Sequence, residues 1–378
     1  MSNLRKMFGS KADIDWALFF SVLPVLAFGL ITMSSFAPEN YFFEKQAIWI
    51  TVSLILFFSL SFVDFGFLKN TKILVSLYLI LNIMLLALFS FGALVKGAES
   101  RFNLGAFFFQ PAELMKIVLI LVLAKYFSRR HIEIANIRHI LVSGFYAFVP
   151  FVLIFLQPDL GSAIIIFLIW LGMVLVSGIS KKHLAFVFGV GAVSFLLLWN
   201  FAFAPYQKDR ILSFIHPLAD IQGAGYNAYQ STIAVGSGQI FGKGIGYGTQ
   251  SKLRFLPEYQ TDFIFAAFAE EWGYVGVIML FIFFILIIWR IIKNALYGAT
   301  NFEMLFGLGL VIMIISHFAI NVGMNIGLLP ITGITVPFMS YGGTHLIAEF
   351  LALGILMGMR KHGRQVHPDD TKYEFLGI

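Results

Sequence analysis

The run ILVSLYLILNIMLLALFSFGA, from Ile73 to Ala93, holds 21 residues without a charge. A helix needs about 20 predominantly apolar residues to cross a hydrocarbon core about 30 Å thick, so this stretch predicts a transmembrane span. Nine further stretches follow the same rule, at about 16–36, 46–64, 111–128, 139–157, 160–178, 183–203, 262–289, 303–327 and 338–359. Composition agrees with them. Hydrophobic residues make up 59% of the 378 and charged residues 12%, with a mean hydropathy of +0.86, whereas soluble domains carry about 25% charged residues. The reading is an all-α integral membrane protein: one polytopic domain over 1–378, about ten transmembrane helices, and one long extracytoplasmic loop, about 204–261, between the seventh and eighth.

The first stretch follows Arg5, Lys6 and Lys11 in the manner of a secretory signal. It is longer than a signal core of about 7–15 residues and no A-x-A site follows, so a retained helix is expected. The pI of about 9.3 reflects sorting of charge between the membrane faces rather than nucleic-acid binding. With the N-terminus inside, the basic groups Lys69, Lys72, Arg129, Arg130, Arg138, Lys181, Lys182, Arg290, Lys293, Arg360 and Lys361 become cytoplasmic, while the short outer loops hold Lys45, Lys96 and Arg101. Both termini are then cytoplasmic. The absence of cysteine excludes disulfides and thiolate metal sites.

A loop of the length of 204–261 is functional or disordered as a rule. Its Ile211, Phe214, Tyr226, Tyr229, Ile233 and Phe241 argue for packing on the membrane surface or between helices. Within it GSGQIFGKGIGYG, Gly236 to Gly248, suggests a phosphate loop, but Gly238 and Gly242 enclose three residues rather than four and Lys243 is followed by Gly244, so the P-loop spacing fails. Tight turns against a neighbouring backbone remain, or an approach of bare N–H groups and Lys243 to an anionic lipid headgroup.

Ionisable residues inside membrane spans mark functional sites by default. Glu113 and Lys116 lie three apart on one helical face, as a structural ion pair or part of a cavity. Asp159 follows Pro158 between two spans and suits a helix N-cap. Glu270 and Glu271 are expected to meet interior partners. His345 and Glu349 are four apart, fitting an interior hydrogen bond better than a metal site. Asp262 stands at the mouth of the eighth span, as a cap with Thr261 or as a general base serving a substrate at the membrane surface. Lys208, Arg210, Lys243, Lys252 and Arg254 in the same loop could hold a phosphorylated partner.

These residues sit in ordered blocks. FQPAELMK (Phe109 to Lys116), QPDLGSA (Gln157 to Ala163), DRILSFIHP (Asp209 to Pro217), GAGYNAYQSTIAVGSGQIFGKG (Gly223 to Gly244), GTQSKLRFLPEYQTDFIFAAFAEEWG (Gly248 to Gly273) and LLPITGITVPFMSYGG (Leu328 to Gly343) together resemble the SEDS family, for shape, elongation, division and sporulation. The pattern is most similar to its RodA branch, with FtsW as near relative. The resemblance implies a ten-helix glycosyltransferase of the bacterial cytoplasmic membrane that polymerises lipid II into peptidoglycan during elongation and shape maintenance. The family's essential aspartate falls on Asp262, and a class B penicillin-binding protein is the implied crosslinking partner alongside the elongation machinery. Two departures stand out: Phe102 follows Arg101 where a tryptophan is usual, and SYGGTH puts His345 where a small hydroxyl is usual.

The implied chemistry suits the residues. Glycoside hydrolases need two carboxylates because an alkoxide must be protonated as it leaves, whereas a lipid pyrophosphate leaves without a proton. One carboxylate, Asp262, can then deprotonate the attacking hydroxyl while cations neutralise the leaving group, and displacement inverts the anomeric centre. Arg210, Lys243 and Arg101 are candidate contacts to the donor or its pyrophosphate; Glu113, Lys116 and Asp159 would shape the substrate cavity. A divalent cation, Mg or Mn, could share the load, and no nucleotide is required. A lipid flippase or a nonenzymatic scaffold competes with this reading, although no internal repeat of the transporter kind is evident.

Overall fold

The computed structural model describes residues 14–35, 41–95, 98–103, 105, 108–128, 137–201, 203, 205–215, 225–253, 255–298 and 300–363. Among them, long helices coincide with the ten apolar stretches: α1 (Trp16–Ser34), α2 (Tyr41–Ser61), α3 (Thr71–Phe91), α4 (Pro111–Ser128), α5 (Ile137–Leu156), α6 (Leu160–Val176), α7 (Lys181–Phe201), α11 (Ile264–Leu296), α12 (Asn301–Asn325) and α13 (Gly343–Gly363). Six of these, α1, α2, α3, α5, α11 and α12, are long and apolar enough to cross a membrane by length and composition alone. The chain is a multi-pass membrane protein. Its outer helices expose apolar side chains that only lipid can satisfy, such as Ile83 on α3, Phe145 on α5 and Ile285 on α11.

The packing order is not the chain order. α13 lies on α2, α11 between α1 and α12, and α12 on both α4 and α6. α4 and α12 form the centre, contributing buried Met115, Leu119, Leu123, Phe306 and Leu310. At one end of the bundle a buried Asp15 ties three helices together: it accepts from Arg290 Nε and Nη2 at 3.0 and 2.5 Å and from Asn294 Nδ2 at 2.9 Å, with Arg360 Nη1 at 3.5 Å. The first two partners are on α11 and the third on α13.

Among the described residues, the opposite end carries the longer structured connections between the spans. A small antiparallel sheet, β1 (Ala93–Val95), β2 (Ala98–Asn103) and β3 (Phe108–Phe109), departs from an all-helical chain and pairs Phe102 with Phe109. The described residues of the loop expected at 204–261 include three helices, α8 (Pro205–Ile215), α9 (Tyr226–Ser237) and α10 (Thr249–Lys252). α9 packs on α11 and α12, burying Ala234 beside Leu256, Phe263 and Ala266. The last long helix starts at Gly343, not at 338. Phe338 takes a left-handed φ of +61°, so the apolar run VPFM is a turn whose side chains are buried rather than the first turn of a span.

Candidate functional site

At this elaborated end a cavity of about 630 Å³ opens among α2, α4, α6, the sheet, α8 and the segments before α11 and α13. Its size suits a small-molecule or headgroup ligand. Six of the seven site residues expected from the sequence line it: Arg101, Glu113, Lys116, Asp159, Arg210 and Asp262.

Local folding explains each placement. α4 starts with Pro111, whose fixed φ and missing N–H suit a first helical position. Glu113 and Lys116 then fall one turn apart, facing inward, with Nζ 2.8 Å from Oε1. Lys116 Nζ also lies 3.1 Å from His317 Nε2. Glu113 Oε2 meets His345 Nδ1 at 2.9 Å, and His345 Nε2 is 2.8 Å from Glu349 Oε1. Asp159 caps α6 as expected, accepting from Ser162 N–H at 3.0 Å, and its other oxygen accepts from Gln110 Nε2 at 2.8 Å.

Asp262 is not a cap. α11 starts at Ile264 with Phe263 in the capping position and no side-chain capping bond, and Thr261 Oγ1 bonds to Glu258 at 3.1 Å. The main chain of Asp262 is held instead from α12: its carbonyl accepts from Asn321 Nδ2 at 2.8 Å and Asn325 Nδ2 at 3.1 Å. The turn before α13 grips the preceding residues, with Ser340 Oγ donating to Thr261 O at 2.8 Å and Tyr341 N–H to Gln260 O at 2.9 Å. Two fixed elements thus present the Asp262 carboxylate on the cavity wall.

Lys243 is placed elsewhere. Its Nζ lies 2.7 Å from Glu270 Oε1, a fully buried carboxylate that also accepts from the N–H groups of Thr249 and Gln250. Glu271 Oε1 receives Ser35 Oγ at 2.5 Å and Gly246 N–H at 3.2 Å. The two glutamates therefore anchor the glycine-rich loop. Gly242, at φ +80°, and Gly273, at φ +65° inside α11, let that loop lie directly on an interruption of the helix, where an added Cβ on Gly242 would sit 2.0 Å from Glu271 O. This is the close backbone approach, and a substrate-contacting Lys243 does not fit it. Of the other loop cations, Lys252 Nζ donates to Gly246 O at 3.2 Å, Lys208 Nζ stands 5.9 Å from the Trp199 ring, and Arg254 lies outside the described residues.

The sequence reading missed several lining groups. Lys45, read as a loop charge, and Tyr41 reach the cavity from α2, with Nζ 2.6 Å from the phenol oxygen. Glu258 and His317 also line it. The signal in the sequence that could have pointed to α2 is the polar pair Lys45 and Gln46 at the start of an apolar stretch. Among the described residues no cluster of three His, Asp or Glu side chains is arranged to hold a metal ion.

A lipid-exposed helical bundle with an acid-bearing, cation-lined cavity at one end defines a polytopic membrane protein. The chain belongs to the cell cycle protein family of FtsW, RodA and SpoVE, whose model matches residues 14–365. It is 33% identical over 363 residues to the peptidoglycan glycosyltransferase MrdB of Escherichia coli K12, covering 96% of this chain and 97% of that one. Its fold matches a chain from the structure of a peptidoglycan synthase complex that coordinates polymerization and crosslinking, with a TM-score of 0.81 and 29% identity over 94% of this chain and 100% of the other. The rod shape determining protein RodA of Thermus thermophilus superposes with a TM-score of 0.71 and 28% identity, over 93% and 98% of the two chains.

Proposed function

We propose that the chain is a peptidoglycan glycosyltransferase that polymerises lipid II, with Asp262 as general base. The observation that carries this reading is the single cavity that gathers Asp262 with Lys45, Arg101, Arg210 and Lys116. The hydroxyl oxygen of a lipid-linked acceptor attacks the anomeric carbon of the donor, and its proton passes to the Asp262 carboxylate. The bond from that carbon to the diphosphate oxygen breaks, and the diphosphate leaves on its lipid with both electrons. Arg101, Arg210 and Lys45 neutralise the charge that collects there. Asp159 and the Glu113–Lys116 pair shape the wall and floor. No step is assigned to a metal ion, and none needs a nucleotide, because the glycosyl–diphosphate bond that breaks carries the driving force.

Substrates anchored in one leaflet require a site at the membrane boundary, so the cavity end faces the outside of the cytoplasmic membrane and both termini lie in the cytoplasm. Basic residues near the opposite end, Lys69, Lys72, Arg290, Lys293 and Arg360, accord with that orientation. A class B penicillin-binding protein, in the elongation machinery, would supply the crosslinking reaction. The test is purified protein in sealed vesicles with labelled lipid II: glycan polymer is expected, and transport without polymer would support a flippase instead.

A further inference from the structure

The floor of the cavity holds more ionisable groups than the reaction uses. Lys116 Nζ faces His317 Nε2 at 3.1 Å; an ammonium only donates, so His317 is the acceptor and neutral. His345 is in the opposite situation. Its two ring nitrogens lie 2.9 Å from Glu113 Oε2 and 2.8 Å from Glu349 Oε1. A neutral imidazole keeps a lone pair on one nitrogen, and on either side that nitrogen would sit at contact distance from a carboxylate oxygen, hydrogen-bonded at Nδ1 and held by proximity alone at Nε2. Protonation of both nitrogens removes the conflict. Lys116 and His345 then balance Glu113 and Glu349, all four of them buried. Without the imidazolium the floor would be net negative beneath a site that must accept a diphosphate.

Glu349 links this charge to the base. Its other oxygen, Oε2, accepts the Phe338 N–H at 2.8 Å, and Phe338 is the residue held in a left-handed conformation that a phenylalanine rarely adopts. The turn that follows carries Ser340 and Tyr341, which grip Thr261 and Gln260. We propose that His345, as an imidazolium spanning Glu113 and Glu349, neutralises the buried floor and fixes the turn that positions Asp262. It is a positioning residue in a place where the motif usually carries a small hydroxyl. Its effect on rate rests on the glycosyltransferase reading, whereas its charge state does not.

The groups facing His345 are Glu113 from α4, His317 from α12 and Glu349 from its own helix, with Lys116 behind them on Glu113 and His317. α2 presents the non-titrating Gln46 and Trp49 to the backbone just before it, and Tyr341 of the turn packs on Phe42. Removing one carboxylate should therefore release the imidazolium proton at lower pH. The experiment compares wild type, E349Q, H345S and H345S/E349Q for polymer formation from labelled lipid II and, separately, for thermal stability in detergent, both from about pH 6 to about pH 10. The E349Q amide keeps a carbonyl for the Phe338 N–H. E349Q should move the alkaline loss of both rate and stability downward by about one pH unit. H345S should slow polymerisation about tenfold, and the double variant should regain most of that rate because the charge is balanced again. Superimposable wild-type and E349Q profiles, or a double variant as slow as H345S, would overturn the proposal. Should wild type make no polymer, the glycosyltransferase reading fails, while the stability profiles still decide the charge state.

Discussion

Asn321→Leu isolates the clamp on the catalytic segment. Asn321 is fully buried and donates to Asp262 O at 2.8 Å and to Ile334 O at 2.6 Å, while its own Oδ1 accepts from Asn325 Nδ2 at 3.0 Å. Leucine has the same number and branching of heavy atoms with bulkier methyl ends, so no cavity forms and the polar loss dominates. The Ile334 carbonyl loses this donor inside the bundle, at a cost of about 1–3 kcal/mol; the bonds at Asp262 O and Asn325 are weakened rather than abolished, at about 0.5–1 kcal/mol together. The sum, about 1.5–4 kcal/mol, corresponds to a fall in melting temperature in detergent of about 2–5 °C. Polymerisation should fall further than folding does, by about a hundredfold at a temperature where the variant is still folded, because a base displaced by about 1 Å loses its near-attack geometry. Melting curves and lipid II turnover measured on the same preparation test both numbers. Wild-type values for both would refute the claim that α12 holds the Asp262 backbone in place.

The remaining predictions concern the supports of the site. Burial works to raise the Asp15 carboxyl, but the bonds from Arg290, Leu18 N–H and Asn294, with the Arg290 charge, hold it below its ordinary 3.8. Its contribution is therefore complete above that value and lost as pH falls through the lower folded one, so Asp15→Asn should cost about 2 kcal/mol near neutrality and progressively less in acid; melting curves that stay equally separated at all pH values would contradict this. Gly242→Ala combines a φ of +80° with a Cβ 2.0 Å from Glu271 O, so the glycine-rich loop must lift from α11. Amide exchange at Lys243 and Gly244, whose N–H groups donate to Glu270 O and Glu271 O, should accelerate by at least about tenfold; unchanged exchange would show that the loop is not seated there.

Much of this was legible in the sequence because the bilayer is a strict solvent. Uncharged runs such as Ile73–Ala93 have no alternative to a helix, and spacing alone paired Glu113 with Lys116 and assigned Asp159 to a cap. The glycine pattern does not have the P-loop spacing, and tight turns against a neighbouring backbone are what Gly242 and Gly273 provide. What stayed hidden depends on chain segments far apart. Lys243 and Glu270 are 27 residues apart and meet only because the loop folds back onto α11, so a loop cation looked available for substrate when it was already paired. His317 gave no local signal, being a lone histidine in an apolar helix until Lys116 arrives from α4. The start of α13 was misplaced because hydropathy cannot distinguish a buried turn at Phe338 from the first turn of a span.

The most direct measurement is single-turnover polymerisation of labelled lipid II by Asp262→Asn, a nearly isosteric change that keeps the main-chain bonds from Asn321 and Asn325. With folding and lipid II binding retained, bond formation should drop by about a thousandfold or more. Turnover within a few-fold of wild type would show that another group removes the proton.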